Sequence, residues 1–371
     1  MLTLVGVSNM SRRTDRRGDR GDAPRVVVVD DSPFMRRVIA DLLDDAGVTI
    51  VGEAGDGAEA LDVVSEVRPD VVTMDVEMPG MGGIEAVEQI MDEIPTPVLM
   101  LSAHTDDGAE VTFEALERGA VDFFAKPGGE VSAGVSREAD RLVEAVRSVA
   151  DADLDVASPG EPDDRRSVRT PGDAPDDRRV DLDAPVTVVI GASTGGPNAV
   201  ERVLGSLPTG DCRVLVVQHM PEAFTARFAD RLNGVSAYDV REATDGDRIG
   251  PGEALVARGG SHLEIGSYRA GRLRVKLVVD DSTAVTPAVD VTMRSAAETV
   301  DDPLVGVILT GMGSDGSEGI RAMADAGART IAQSEETCVI YGMPKRAVRT
   351  GAIDAVHDLD DVAGAILGGE A

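Results

Sequence analysis

Short apolar runs alternate with amphipathic stretches along two long parts of the chain. Between residues 25 and 150 the runs are "RVVVVD", "TIVGEA", "DVVTMD", "PVLMLSA" and "AVDFFAKP". Helix-like stretches separate them, such as the one from Phe34 to Ala46 and "AEALDVVSEV". Near-continuous apolar strands flanked by helices are buried on both faces, so this rhythm predicts a five-stranded parallel, doubly wound sheet. Sites in such sheets lie at the C-terminal ends of the strands.

The rhythm returns after Pro185 with "VTVVIGAS", "CRVLVVQHM" and "SAYDVREA". A strand-rich stretch follows, "GEALVARGGSHLEIGSYRAGRLRVKLV", whose G-G and A-G pairs read as hairpin turns. Then come a helix around "AVDVTMRSAAETV", the strand "VGVILT", a helix after "GMGSDGSEG", the strand "RTIAQS" and helices near Lys345 and Val362. Residues 185–371 are therefore expected to form a second doubly wound α/β domain, with a mostly parallel sheet and an added hairpin section. Residues 151–184 are rich in Asp, Arg and Pro without aliphatic periodicity, and read as a flexible linker. Residues 1–24 place "LTLVGV" before "SRRTDRRGDRGD", the wrong order for a signal peptide, and read as a disordered leader.

Composition narrows the setting. Of 371 residues only Cys212 and Cys338 are cysteine, which excludes a disulfide framework or a four-cysteine zinc site and fits a reducing, cytoplasmic compartment. No apolar run reaches the ~18 residues of a membrane span, so no direct membrane insertion is expected. The formal net charge is −31, and Lys126, Lys276 and Lys345 are the only lysines. Such a surface suits a halophile, where a protein must stay hydrated in high salt; an acidic protein from a GC-rich genome is the plainer alternative. Either way the chain lacks the cationic surface that nucleic acid needs.

Two sets of strand-end residues carry chemistry. Asp30 and Asp31 follow the first run and Asp75 ends the third, so three carboxylates converge. They repel unless a hard cation joins them, and an all-oxygen site suits Mg²⁺. Ser102 and Lys126 end the fourth and fifth runs, completing a pocket for a phosphoryl group with Asp75 as nucleophile. Helix capping explains Asp30 or Asp31 singly, but not Ser102 and Lys126. In the second half, Gly191 to Gly195 satisfy the G-x-S-x-G spacing around Ser193, which a phosphate-binding turn would also satisfy. Of four histidines, His104 belongs to the first half, His357 sits among acids and His262 falls in the hairpin section. His219 ends the strand after Ser193 and is the candidate base, with helix capping or packing as its plainer role. Asp315, after "VGVILT", can hold the imidazole, and the Met312 amide can serve an oxyanion. The stretch "GMGSDG" also fits a dinucleotide fingerprint, but an acid at its centre would repel phosphate.

The pieces "VVVVDDS", "VVTMDVEMPGMGG", "LMLSAHT" and "DFFAKP" resemble the receiver domain of two-component response regulators, a flavodoxin-like fold. That resemblance implies phosphorylation of Asp75 by a chemotaxis histidine kinase. It implies Mg²⁺ on Asp30, Asp31, Asp75 and the Glu77 carbonyl, and Ser102 and Lys126 on the phosphoryl group. It makes Phe123 an aromatic switch, unless that ring is plain core. The pieces "VIGASTGGP", "VVQHMPEAFTARFADRLN", "TPAVDVTMRSAAE", "GVILTGMGSDGSEG" and "CVIYGMPKRAV" resemble the catalytic domain of chemotaxis receptor methylesterases (CheB type). That resemblance implies a Ser193–His219–Asp315 triad, with Thr194 and Met312 at the oxyanion side and no cofactor. The substrates would be glutamate methyl esters and certain glutamines of methyl-accepting chemotaxis receptors. Arg294 is a candidate contact to acidic receptor segments. Three rivals are an inactive scaffold, a DNA-binding effector and a nucleotide-dependent enzyme; the first lacks a reason for an intact triad, and the second a basic face.

Overall fold

The structure is a computed structural model that describes residues 23–102, 106–126, 135–154, 185–208, 210–280, 283 and 285–368. Residues 1–22 of the expected leader, residues 155–184 of the expected linker, His104 and Pro127 lie outside the described residues.

The N-terminal domain runs β1 (Arg25–Val29), α1 (Pro33–Asp45), β2 (Thr49–Ala54), α2 (Gly57–Val67), β3 (Val71–Asp75), α3 (Gly83–Glu93), β4 (Val98–Ser102), α4 (Asp106–Glu117), β5 (Asp122–Ala125) and α5 (Val135–Ala150). Its strands pair in the order β2-β1-β3-β4-β5, all parallel. The apolar runs are strands because helices cover both faces: Val26 to Val29 have no exposed surface. Helix starts follow the local chemistry. The Ser32 hydroxyl accepts from the Met35 N–H with Pro33 in the first turn, and Asp56 accepts from the Glu59 N–H.

The C-terminal domain contains β6 (Val186–Ala192), α6 (Gly196–Ser206), β7 (Cys212–Gln218), α7 (Glu222–Val235), β8 (Asp239–Glu242), β9 (Arg248–Ile249), β10 (Glu253–Val256), β11 (His262–Arg269) and β12 (Arg272–Val278). It continues with α8 (Val289–Thr299), β13 (Leu304–Ile308), α9 (Ser317–Asp325), β14 (Arg329–Gln333), α10 (Met343–Arg349), β15 (Ala355–His357) and α11 (Leu359–Ile366). Seven strands pair in the order β15-β14-β13-β6-β7-β10-β8, parallel throughout. A separate antiparallel sheet has the order β11-β12-β9.

One turn expectation fails. Ala270 and Gly271, at φ 50° and 76°, close the β11–β12 hairpin as the A-G signal predicted. The G-G pair at Gly259 and Gly260 closes none. It carries the chain from β10, inside the parallel sheet, to β11 in the other sheet.

A buried cation braces the far end of the parallel sheet. Arg213 in β7 is fully buried, donating to Thr187 Oγ1 (2.8 Å), the Gly271 carbonyl (2.6 Å) and Asp302 Oδ2 (2.7 Å). Its guanidinium lies 5.1 Å from the Tyr268 ring centre.

Candidate active site

Strands β13, β6 and β7 are neighbours, and each delivers one polar residue at its C-terminal end. Ser193 follows β6, His219 follows β7, and Asp315 lies in the loop after β13. His219 Nδ1 is 3.2 Å from Ser193 Oγ, and His219 Nε2 is 2.8 Å from Asp315 Oδ2. The proton of the neutral ring therefore sits on Nε2, held by the carboxylate, and Nδ1 faces the hydroxyl as an acceptor.

Backbone amides fix the acid. Asp315 Oδ2 accepts from the Val289 N–H (2.6 Å), and Oδ1 accepts from the N–H groups of Asp290 and Gly316 (both 3.0 Å). Val289 and Asp290 open α8, whose first amides have no partners within the helix, so the carboxylate also caps it. Burial pushes the Asp315 carboxyl up, but His219 and these amides outweigh it and hold it below the usual range. Asp290 in turn accepts from the Gly319 N–H of α9 at 2.6 Å, so the two helix starts cap each other. Burial raises the Asp290 carboxyl despite that bond.

The serine turn is held from below. Gln218, at the end of β7, is buried, and its amide donates to the carbonyls of Ser193 (2.9 Å) and His219 (3.2 Å). Thr310 Oγ1 lies 3.0 Å from the Thr194 carbonyl, fastening the next residue. Gly195 turns the chain at φ 72°. Gly311 permits close approach: a Cβ there would lie 2.7 Å from Ser193 Cβ. Met312 lines the same cleft as Ser193, and so does Arg294, which pairs with Glu318 at 2.8 Å.

The cleft lies between the two domains and has a volume of about 890 Å³. Asp122, Phe123 and Phe124 of β5 and Arg141 and Glu144 of α5 form the wall opposite Ser193, His219 and Asp315. Phe123 packs 4.6 Å from Phe224 of α7, and Phe113 of α4 stacks 5.9 Å from Phe228. Arg231 of α7 pairs with Glu117 of α4 at 2.8 Å, lies over the Phe113 ring and also pairs with Glu201. The Asp122 carboxylate accepts from the Phe123 N–H and from the Thr194 hydroxyl, beside Ser193. Burial outweighs both bonds and pushes its carboxyl up to about 7. Sequence reasoning missed Gln218 and Asp122, because each acts through a contact that forms only in the folded chain.

The second set of residues also converges. Ligand oxygens of Asp30, Asp31 and Asp75 lie within 4.8 Å of one another. Lys126 Nζ lies 2.8 Å from Asp30 Oδ2 and 2.7 Å from Asp75 Oδ1. Burial raises the Asp75 carboxyl and outweighs Lys126. Burial pulls the Lys126 ammonium down, but Asp30 and Asp75 outweigh it and raise it. Ser102 is buried at the end of β4, and Glu77 is exposed, its N–H donating to Asp75. Clustered carboxylates with a buried oxygen suit a hard divalent cation such as Mg²⁺.

Each half of the chain matches a known protein family. Residues 26–132 match the response regulator receiver domain, and residues 188–366 match the CheB methylesterase domain. A Haloarcula marismortui protein named protein-glutamate methylesterase/protein-glutamine glutaminase is 57% identical over 359 residues, covering 93% of this chain and 97% of that one. A Halobacterium salinarum protein of the same name is 54% identical, covering 92% and 96%. A crystal structure of the Thermotoga maritima CheB methylesterase catalytic domain is 37% identical and covers 50% of this chain and 99% of that one, at a TM-score of 0.48. The chain belongs to the CheB methylesterase family, with a response regulator receiver domain ahead of its esterase domain.

Proposed function

We propose that the chain hydrolyses glutamate γ-methyl esters, and deamidates glutamine side chains, on methyl-accepting chemotaxis receptors under control of receiver phosphorylation. The observation that carries this is the Ser193–His219–Asp315 array at three adjacent strand ends. Ser193 Oγ attacks the ester carbonyl and its proton passes to His219 Nδ1. The amides of Thr194 and Met312 face the resulting oxyanion. Asp315 holds the Nε2 proton and stabilises the imidazolium. The carbon–oxygen bond breaks, and methanol leaves with the proton from Nδ1. Water then attacks the acyl-enzyme, gives a proton to Nδ1, and Ser193 departs with it, leaving a glutamate carboxylate. With glutamine the leaving group is ammonia. The chemistry calls for no cofactor at this centre. An inactive scaffold has no use for this geometry.

In the receiver, Asp75 accepts the phosphoryl group from a chemotaxis histidine kinase. Asp30, Asp31, Asp75 and the Glu77 carbonyl would hold Mg²⁺, which neutralises phosphoryl oxygens when bound. Ser102 and Lys126 meet those oxygens. Phe123 reports the change, since its ring already packs against Phe224 of the esterase domain. The unphosphorylated receiver covers the cleft, and phosphorylation biases it away. Arg294 meets acidic receptor segments once it leaves Glu318. Such a protein works in the cytoplasm, without membrane insertion or nucleic acid; no described helix is long and apolar enough to cross a membrane.

The test uses receptor carrying methyl-labelled glutamate esters, in high salt, with and without a phosphodonor. Wild type should release methanol faster with the phosphodonor, Ser193→Ala should release none, and Asp75→Ala should ignore the phosphodonor. Release that persists in Ser193→Ala would remove the nucleophile assignment. Equal rates for wild type and Asp75→Ala with phosphodonor would remove the switch.

A further inference from the structure

His262 sits apart from the triad, at the first position of β11, and is 1% exposed. Its two ring nitrogens face opposite partners. Nδ1 accepts from the Ala288 N–H at 3.1 Å. Nε2 lies 3.1 Å from the Asp280 carbonyl and 3.1 Å from Thr283 Oγ1. Thr283 spends its own hydroxyl proton on the Val285 carbonyl at 2.8 Å, so its oxygen is an acceptor toward His262. The ring is thereby fixed as the neutral tautomer with its proton on Nε2.

Ala288 is the residue before α8. The next two amides, of Val289 and Asp290, are the ones that grip Asp315. A continuous chain of bonds thus runs from His262 through this turn to Asp315, then His219, then Ser193. The turn has further moorings to β11: Thr292 Oγ1 donates to the Leu263 carbonyl (2.7 Å), and the Ile265 N–H donates to Ser295 Oγ (3.0 Å). Those lie further along the helix, however, and His262 is the side chain that meets the turn itself.

We propose that His262 is a positioning residue for the catalytic acid: its Nδ1, as acceptor for the Ala288 N–H, sets the amides that aim Asp315 at His219. This rests on the triad reading above. A merely structural histidine would be sensitive to the loss of either nitrogen. A positioning histidine is sensitive to the loss of the acceptor facing Ala288.

The two side-chain amides separate these cases in the full-length protein. His262→Asn places a carbonyl oxygen near Nδ1, keeping the acceptor and dropping the Nε2–H donor. His262→Gln places its amide nearer Nε2, keeping a donor there and dropping the Nδ1 acceptor. Methanol release is measured with phosphodonor present, as kcat and KM separately, alongside thermal melting. His262→Asn should keep kcat within about threefold of wild type, and His262→Gln should lose about ten- to a hundredfold in kcat with KM unchanged. In proton NMR, the downfield signal of the His219 Nε2–H bonded to Asp315 should survive in His262→Asn and shift or broaden in His262→Gln. Equal kcat values for the two variants, or losses that simply follow their melting temperatures, would overturn the proposal. Ser193→Ala run in parallel keeps the two readings apart: release persisting there removes the triad itself, whereas release lost there but kept in His262→Gln removes only the role of His262.

Discussion

Reversing the charge of Glu117 should release the enzyme from its own receiver. Glu117 lies on α4, and Arg231 of the esterase domain meets it at 2.8 Å. The glutamate side chain is 57% exposed and the arginine 17%, so the pair is worth about 0.2–1 kcal/mol, the range for solvent-exposed ion pairs. In Glu117→Arg that attraction disappears and a repulsion of similar size replaces it. The closed arrangement loses roughly 0.4–2 kcal/mol, which multiplies the open-to-closed ratio by about two to thirty. While the enzyme is mostly closed, basal activity scales with the open fraction, so methanol release without phosphodonor should rise by the same factor. With phosphodonor the gain should shrink toward one, because the receiver is already displaced. Salt offers an internal check. At 1 M the screening length is about 3 Å, so the gain should be largest at the lowest salt that keeps the protein folded and should fade as salt is added. A basal rate that stays at the wild-type value across the salt series would refute the docking role of this contact. A gain of equal size with and without phosphodonor would refute it too, since docking cannot explain a change in the fully open enzyme.

Asp122 makes docking sensitive to pH. Its carboxyl is pushed up to about 7 when closed in between the domains, against about 3.9 in water. The closed form thus holds the proton more tightly, and closure is favoured at low pH and weakens as pH rises from about 4 to about 7. The ratio of basal to phosphodonor-stimulated activity should climb across that window, and should be flat in Asp122→Asn; parallel slopes in the two proteins would count against this assignment. Gln218→Leu removes the amide that joins the Ser193 and His219 turns, and should lower kcat about tenfold with KM unchanged and the fold intact by circular dichroism. Arg213→Met removes a fully buried guanidinium and leaves Asp302 with the Tyr268 hydroxyl alone, so denaturant unfolding should show a loss of about 1.5–3 kcal/mol. Asp302 is held below the usual range even though burial alone would raise it, because Tyr268 and Arg213 bind its charged form. The stability it adds is therefore present above the ordinary carboxylate range and is lost as pH falls through the lowered value, a dependence that Arg213→Met should flatten.

Ser193, His219 and Asp315 could be read from the sequence because each lies at, or in the loop after, the end of an apolar run, and in a parallel sheet such ends meet. The same logic brought Asp30, Asp75 and Lys126 into one pocket, where the ion pairs now lie. Other features left no local mark. The G-G pair before His262 looks like any hairpin turn, yet β10 and β11 belong to different sheets, and sheet membership is decided by partners distant in sequence. His262 reads as one more histidine in a strand until α8 packs over it. Phe123 fitted a core ring and a switch ring equally well, since both need an aromatic on β5. Its contact with Phe224 lies across a domain boundary that no periodicity encodes. Asp122 is the same kind of residue, an ordinary acid until a second domain closes over it.

The cleft has one wall in each domain, so on the function proposed above the receiver and the receptor would compete for a single space. Whatever phosphorylation does to the affinity for receptor, the receptor must do by the same factor to the affinity for the phosphoryl state, because coupling between two sites is reciprocal. On that reading a receptor helix lodged in the cleft would prop the receiver open and thereby favour its phosphorylated form. At a fixed kinase output, a heavily methylated receptor array would then hold a larger share of its esterase in the active state than a sparsely methylated one. The receptor is in this sense an effector of the enzyme that edits it.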